Sequence, residues 1–317
     1  MDSRETTQAK QSGGKKVVGT RRLREPLPKP KATRIFTVAN QKGGVGKTTS
    51  AVNIAAALSM GGLRTLVIDL DPQGNASTAF SIARDDVAGM FEVITRDLPM
   101  SEVVIKVAGY PHLECAPATQ SLANAEVELV PMVARELRLK KALQTFLLER
   151  ANKGERIDYV IIDCPPSLGL LTINALVAAE ELMIPIQCEY YSLEGLALLL
   201  HTVSLVQEHL NQNIKLTTIV LTMFDGRTRL ANDVADSVRA HYPKELIDIP
   251  IPRAVRISEA PSYGQTVMTY DPLSIGAQSY MAVAREIAVR RRVNHLVVER
   301  QRVAQHQQRG WRRLGWG

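Results

Sequence analysis

Three cysteines, 5% aromatic residues and no apolar run near the ~18 residues of a membrane-spanning helix set the first limits on this 317-residue sequence. With so few aromatics, an aliphatic core must supply the stability. Cys115, Cys164 and Cys188 form no CxxC pair, and an odd number at wide spacing does not suggest a disulfide framework, so all three are expected as reduced, buried thiols. The N-terminus MDSRETTQAK has no apolar segment of the kind a secretory signal needs, and the expected location is the cytosol. Hydrophobic residues at 45% and charged residues at 22% exclude a coiled coil, a collagen or a wholly disordered chain. The length allows two domains, or one α/β domain of roughly 250 residues with tails.

The net charge of +7 is unevenly distributed. Residues 1–34 hold ten Lys/Arg against three Asp/Glu, and residues 285–317 hold nine Arg against two Glu, so each end carries +7 and the body between them −7. Basic ends on an acidic body suit an anionic partner, nucleic acid or a membrane surface, although solubilising tails would look the same. Residues 1–33 are rich in Lys, Arg, Gly, Ser and Pro and are expected to form a disordered basic arm. A single domain is expected over 34–292, followed by a basic, flexible tail over 293–317.

Apolar runs RIFTVAN from residue 34, TLVIDL (65–70), DYVIID (158–163), ELMIPIQ (181–187) and LTTIVLTM (216–223) read as buried strands. Helical stretches at 48–60, 168–179, 193–210, 231–242 and from 274 to 292 separate or follow them. Continuous apolar strands each followed by a helix predict a doubly wound α/β fold, with a mostly parallel sheet and helices on both faces. No repeat of fixed period is present.

The strongest chemical signal is KGGVGKTT, residues 42–49, lying directly after a strand and opening a helix, where a phosphate-binding loop must be. Gly43, Gly44 and Gly46 would free backbone N–H groups, with that of Val45, to wrap phosphates, and the helix N-terminus adds partial positive charge. Lys47 would meet the β and γ phosphates, Thr48 would offer its hydroxyl to Mg²⁺, and Thr49 completes the loop. DLDPQGNAST sets Asp69 and Asp71 at the carboxyl end of the next strand, where open α/β sheets bind ligands. IIDCPPSLG ends a later strand in Asp163, placed to hold Mg²⁺ through water. The predicted ligands are therefore ATP and Mg²⁺.

The loop departs from the common pattern: Gln41 stands where GxxxxGK[ST] has its first glycine, and Lys42 follows. KGGxGK[ST] with this extra lysine resembles the deviant P-loop family that includes ParA, Soj and MinD, dimeric ATPases that position cargo in bacteria. The resemblance implies that Lys42 reaches across a homodimer to the partner's nucleotide, and that Lys42, Lys47 and Asp71 form the catalytic set, Asp71 poising the attacking water. Asp69 is then a supporting group. Cys164 follows Asp163 where many vigorous ATPases have Glu, so slow, partner-stimulated hydrolysis is expected. Pro165, Pro166 and Ser167 resemble the family's second switch segment. The nitrogenase iron protein shares the loop, but the cysteines here are not placed for its cluster.

LTMFDGRTRL (221–230) and the block 249–280 resemble the chromosomal ParA/Soj pattern, which MinD-type chains lack. Arg227 and Arg256 fall on positions that contact DNA in that family, with Arg229 and Arg253 as neighbours. Phosphate contacts of this kind carry no sequence preference. The resemblance thus implies non-specific double-stranded DNA and a ParB-type centromere-binding protein as partners, and a cytoplasmic, nucleoid-associated protein. Adenine contacts are expected near Met223 and Phe224. Two alternatives stand: a MinD-like membrane-associated ATPase, for which the Arg- and Trp-bearing end of the chain is the only support, and a P-loop biosynthetic ligase, for which no separate His/Cys/Asp cluster is present.

Overall fold

Strands buried on both faces must alternate their side chains between two helical layers, and these do. The computed structural model describes residues 26–290 except 86, 190 and 191. Most of the expected basic arm, the end of the last expected helix, and the whole tail with its amphipathic segment lie outside the described residues. The chain runs β1 (Arg34–Val38), α1 (Lys47–Met60), β2 (Thr65–Asp69), α2 (Asn75–Ala79), α3 (Met90–Arg96), β3 (Ile105–Lys106), β4 (Leu113–Ala116), α4 (Ala125–Leu129) and α5 (Arg138–Asn152). It continues through β5 (Tyr159–Asp163), α6 (Leu170–Ala178), β6 (Glu181–Gln187), α7 (Ser192–His209), β7 (Lys215–Thr222), α8 (Arg229–His241), β8 (Leu246–Ile247), α9 (Val255–Glu259), α10 (Val267–Tyr270) and α11 (Ile275–Val289).

Among the described residues the strands form one sheet in the order β3-β4-β2-β5-β1-β6-β7-β8, parallel throughout except for the β3–β4 pair. Leu66 and Ile68 of β2 and Val160 and Ile162 of β5 enter a core layer with α5, α6 and α7. Val67, Tyr159 and Ile161 enter the opposite layer, with α1 and α11. The doubly wound architecture expected from the sequence is the one observed. Its consequence for chemistry is that the carboxyl ends of β1, β2 and β5 lie side by side, with Val38 and Asp69 both in register with Asp163.

Order starts before Arg34, where the sequence placed it. Leu27 is buried, and its N–H donates to the Gly61 carbonyl at 2.9 Å. A Cβ on Gly61 would come within 2.4 Å of Leu27 Cγ, so this glycine makes room for the incoming segment. One apolar residue among EPLPKPK is enough to dock the end of the arm.

Arg34 is itself buried, an unusual fate for the first residue of a strand. Its guanidinium makes a bidentate pair with Glu181 of β6, both bonds at 2.7 Å, and lies over the rings of Phe36 and Tyr159. It also donates to the carbonyls of Ile287 and Arg290, tying the end of α11 to the sheet. Truncating one partner leaves the other charge buried and uncompensated, at about 3–5 kcal/mol. Arg34→Ala is therefore expected to lower the unfolding free energy by about that amount in a urea titration, and a loss under 1 kcal/mol would show the pair to be dispensable.

Candidate nucleotide site

Between β1 and α1 the chain has to turn sharply and leave its N–H groups free. Gly44 and Gly46 adopt φ of +73° and +83°, which side-chain-bearing residues rarely take, and a Cβ on Gly43 or Gly44 would meet nothing within 4 Å. The loop is braced from behind. Asn40 donates its side-chain N–H to the Pro185 carbonyl at 2.8 Å and accepts from the Lys42 amide at 3.0 Å, while the Thr222 hydroxyl donates to the Val45 carbonyl at 2.8 Å. Val45 is thus an anchor buried under the loop.

A cleft of about 450 Å³ opens over this loop. Gly43, Gly44, Gly46, Lys47, Thr48 and Thr49 line one side; Asp71, Gln73 and Asn75 line another, and Pro166, Met223 and Pro261 also border it. Met223 has φ +51°, a left-handed turn at the end of β7 that sets it at the rim. Gln73, Asn75 and Pro261 were not singled out in the sequence. The first two belong to the DPQGN segment, whose place after a strand was their only signal.

Charges converge beneath the cleft. Lys47 is buried, with Nζ 3.3 Å from the Lys42 carbonyl; burial lowers its pKa, while Asp163 and Asp71 pull the other way. Asp163 is fully buried and neither carboxylate oxygen has a hydrogen-bond partner. Burial first, then the charges of Asp69 and Asp71, push its carboxyl well above the usual range, against the Thr48 hydroxyl and Lys47. A buried carboxylate with both oxygens unpartnered beside a threonine hydroxyl is an oxygen donor set suited to Mg²⁺. Together with the open glycine turn, it fits a magnesium-bound nucleotide.

Asp69 is fully buried and held by hydrogen bonds within the fold. Its carboxylate accepts from the Ser77 amide at 2.8 Å and the Ser77 hydroxyl at 2.7 Å, and burial pushes its pKa up to about 6. Asp71 accepts instead from the Gln73 amide at 3.0 Å and borders the cleft. The three cysteines are buried and free, and burial raises the pKa of each.

Lys42 is not among the residues lining the cleft. Its ammonium pairs with Glu189 at 3.2 Å, and Arg253 approaches the same carboxylate at 3.5 Å. The remaining arginines are also exposed and paired: Arg227 with Asp225 at 2.7 Å, Arg229 with Asp233 at 3.7 Å, and Arg256 with Glu259 at 3.4 Å and Asp271 at 3.7 Å. Phe224 and Pro252 form a parallel bridge, and the Arg253 amide donates to the Phe224 carbonyl at 3.1 Å. The two arginine-bearing blocks therefore meet beyond β7.

Comparison with known proteins agrees with this geometry. A family model described as an AAA domain matches residues 33–216. The chromosome partitioning protein ParA of Myxococcus xanthus is 47% identical over 258 residues, covering 81% of this chain and 88% of that protein. The sporulation initiation inhibitor protein Soj of Bacillus subtilis is 47% identical over 256 residues, covering 80% and 98%. The chain belongs to the ParA/Soj family of chromosome-partitioning ATPases. Among solved structures, a Mycobacterium smegmatis protein described as cobyrinic acid a,c-diamide synthase, with bound ATP analogue and magnesium, superposes with a TM-score of 0.69. It is 35% identical and covers 81% of this chain and 94% of its own. These ParA/Soj relatives cover about four-fifths of the chain.

Proposed function

We propose that this ParA/Soj-family chain is a slow ATPase that partitions chromosomes or plasmids by binding DNA non-specifically as a nucleotide-dependent homodimer. Magnesium-bound ATP would supply the phosphoanhydride to be cleaved. Gly43 to Thr49 hold its phosphates, Lys47 neutralises them, and Thr48 and Asp163 hold the metal, Asp163 through water. Asp71 orients the attacking water. Lys42 exchanges Glu189 for the partner copy's phosphates, and the surface ion pair it gives up is weak enough to allow this. Hydrolysis stimulated by a ParB-type protein releases the dimer into the cytoplasm, and rebinding keeps it on the nucleoid.

The observation that supports the DNA part is the Phe224–Pro252 bridge, which joins the segment before and into α8, bearing Arg227 and Arg229, to the segment before and into α9, bearing Arg253 and Arg256. Their acidic partners are surface groups, readily displaced by phosphate. Dimerisation would double the set and add the phosphate contacts of both copies. Arg227→Ala and Arg256→Ala are each expected to weaken binding equally on unrelated duplexes and to reduce the slope of log K against log salt by about one. Fluorescence anisotropy across a salt series reads this, and an unchanged slope in both variants moves the DNA surface elsewhere.

The name of the mycobacterial structure favours a second reading, an ATP-dependent amide synthase. ATP turnover that rises with plasmid DNA and needs no small acceptor separates the two. For the membrane alternative, no described helix is long and apolar enough to cross a bilayer.

A further inference from the structure

The loop from Asp71 to Gly74 has no strand or helix to hold it, yet it delivers Asp71 to the cleft. Its hydrogen bonds close into a ring that passes through a residue outside every motif. The Asp69 carboxylate grips the Ser77 amide and hydroxyl; the Ser77 oxygen accepts from the Ala118 amide at 3.1 Å. The Ala118 carbonyl in turn accepts from Arg84 Nε at 2.9 Å. The other two guanidinium nitrogens donate to the Gln73 carbonyl at 2.6 Å and the Pro72 carbonyl at 2.7 Å, the carbonyls of the two residues that follow Asp71.

Arg84 fits this place closely. A Cβ on Gly74 would stand 2.0 Å from Arg84 Cζ, so the glycine leaves space for the guanidinium plane against the loop. The neighbouring Asp85 is turned to Gln120 at 2.6 Å, and Arg84 directs its donors to backbone carbonyls. Charge-assisted bonds from one rigid fork to three carbonyls fix both distance and orientation, which a lysine's point charge cannot do.

We infer that Arg84 is a positioning residue for hydrolysis, docking the loop that carries Asp71 onto the chain beyond β4. The inference rests on the reading that Asp71 orients the water. A carboxylate that must poise water tolerates little displacement, since an error of about 1 Å costs on the order of a hundredfold in rate. Nucleotide binding through Gly43–Thr49 does not pass through this ring.

The test compares the full-length wild type with Arg84→Ala, Arg84→Lys and Asp71→Ala. It measures kcat for ATP, equilibrium affinity for a fluorescent ATP analogue, and melting temperature. Arg84→Ala is expected to lower kcat about tenfold or more, with analogue affinity within about twofold of wild type, and Arg84→Lys to recover part of the loss. An unchanged kcat in Arg84→Ala overturns the inference. So does a parallel fall in kcat, affinity and melting temperature in both Arg84 variants, which marks a structural role. Wild-type turnover by Asp71→Ala would instead sink the reading of Asp71 itself, whatever Arg84 does.

Discussion

Lys47→Ala is expected to abolish ATP binding. The side chain is buried beneath the glycine turn with its ammonium toward Asp163 and Asp71, so it is the cation that makes this acidic floor acceptable to a polyphosphate. Two lost charge-assisted hydrogen bonds, at about 1.5–3 kcal/mol each, correspond to roughly a hundredfold or more in affinity. Removal also leaves the carboxylates without their counter-charge, so electrostatic repulsion of the γ-phosphate adds to the loss. Titration calorimetry with ATP and Mg²⁺ checks this. An affinity near the wild-type value, in a variant whose circular dichroism shows it folded, would remove the phosphate-binding assignment from residues 42–49.

Asp71→Ala is expected to do the opposite: nucleotide is held, but turnover falls by about 10²–10⁴, the usual contribution of a positioned proton acceptor. The ATP-bound dimer then persists, and DNA retention outlasts that of the wild type. Asp71 also accepts the Gln73 amide, so Ala removes a turn constraint along with the charge. Asp71→Asn keeps an acceptor for that amide and loses the negative charge. Equal loss of turnover in both variants assigns the effect to charge, whereas full turnover in Asn assigns it to loop shape. Hydrolysis at the wild-type rate in Ala would refute the role altogether.

The central strands and the glycine turn between β1 and α1 were legible because their signals are local. TLVID and YVIID are apolar enough to be buried on both faces, and a glycine turn between strand and helix has few other uses. The region between residues 79 and 157 was not read, for physical reasons. β4 carries Glu114 in its middle, which breaks the apolar run; Arg150 of α5 neutralises it through bonds of 2.7 and 3.1 Å, a pairing no local pattern displays. β3 and β8 are two residues each, too short for periodicity to register. Glu189 was missed at the site because its partners Lys42 and Arg253 are distant in sequence. Asn40 and Thr222 act through backbone carbonyls that any residue could offer. Arg84 is invisible for the same reason.

The place of β1 in the sheet bears on how the site comes into being on the ribosome. β1 and the glycine turn emerge early, yet β1 is flanked by β5 and β6, so its neighbours arrive only with residues 159–163 and 181–187. Asp163 and Pro185, which form the floor and brace of the turn, come with them. A nascent chain halted before residue 187 therefore carries the whole glycine signature but not its socket. The earlier segment becomes competent only once residues far downstream of it, through β6, have been made.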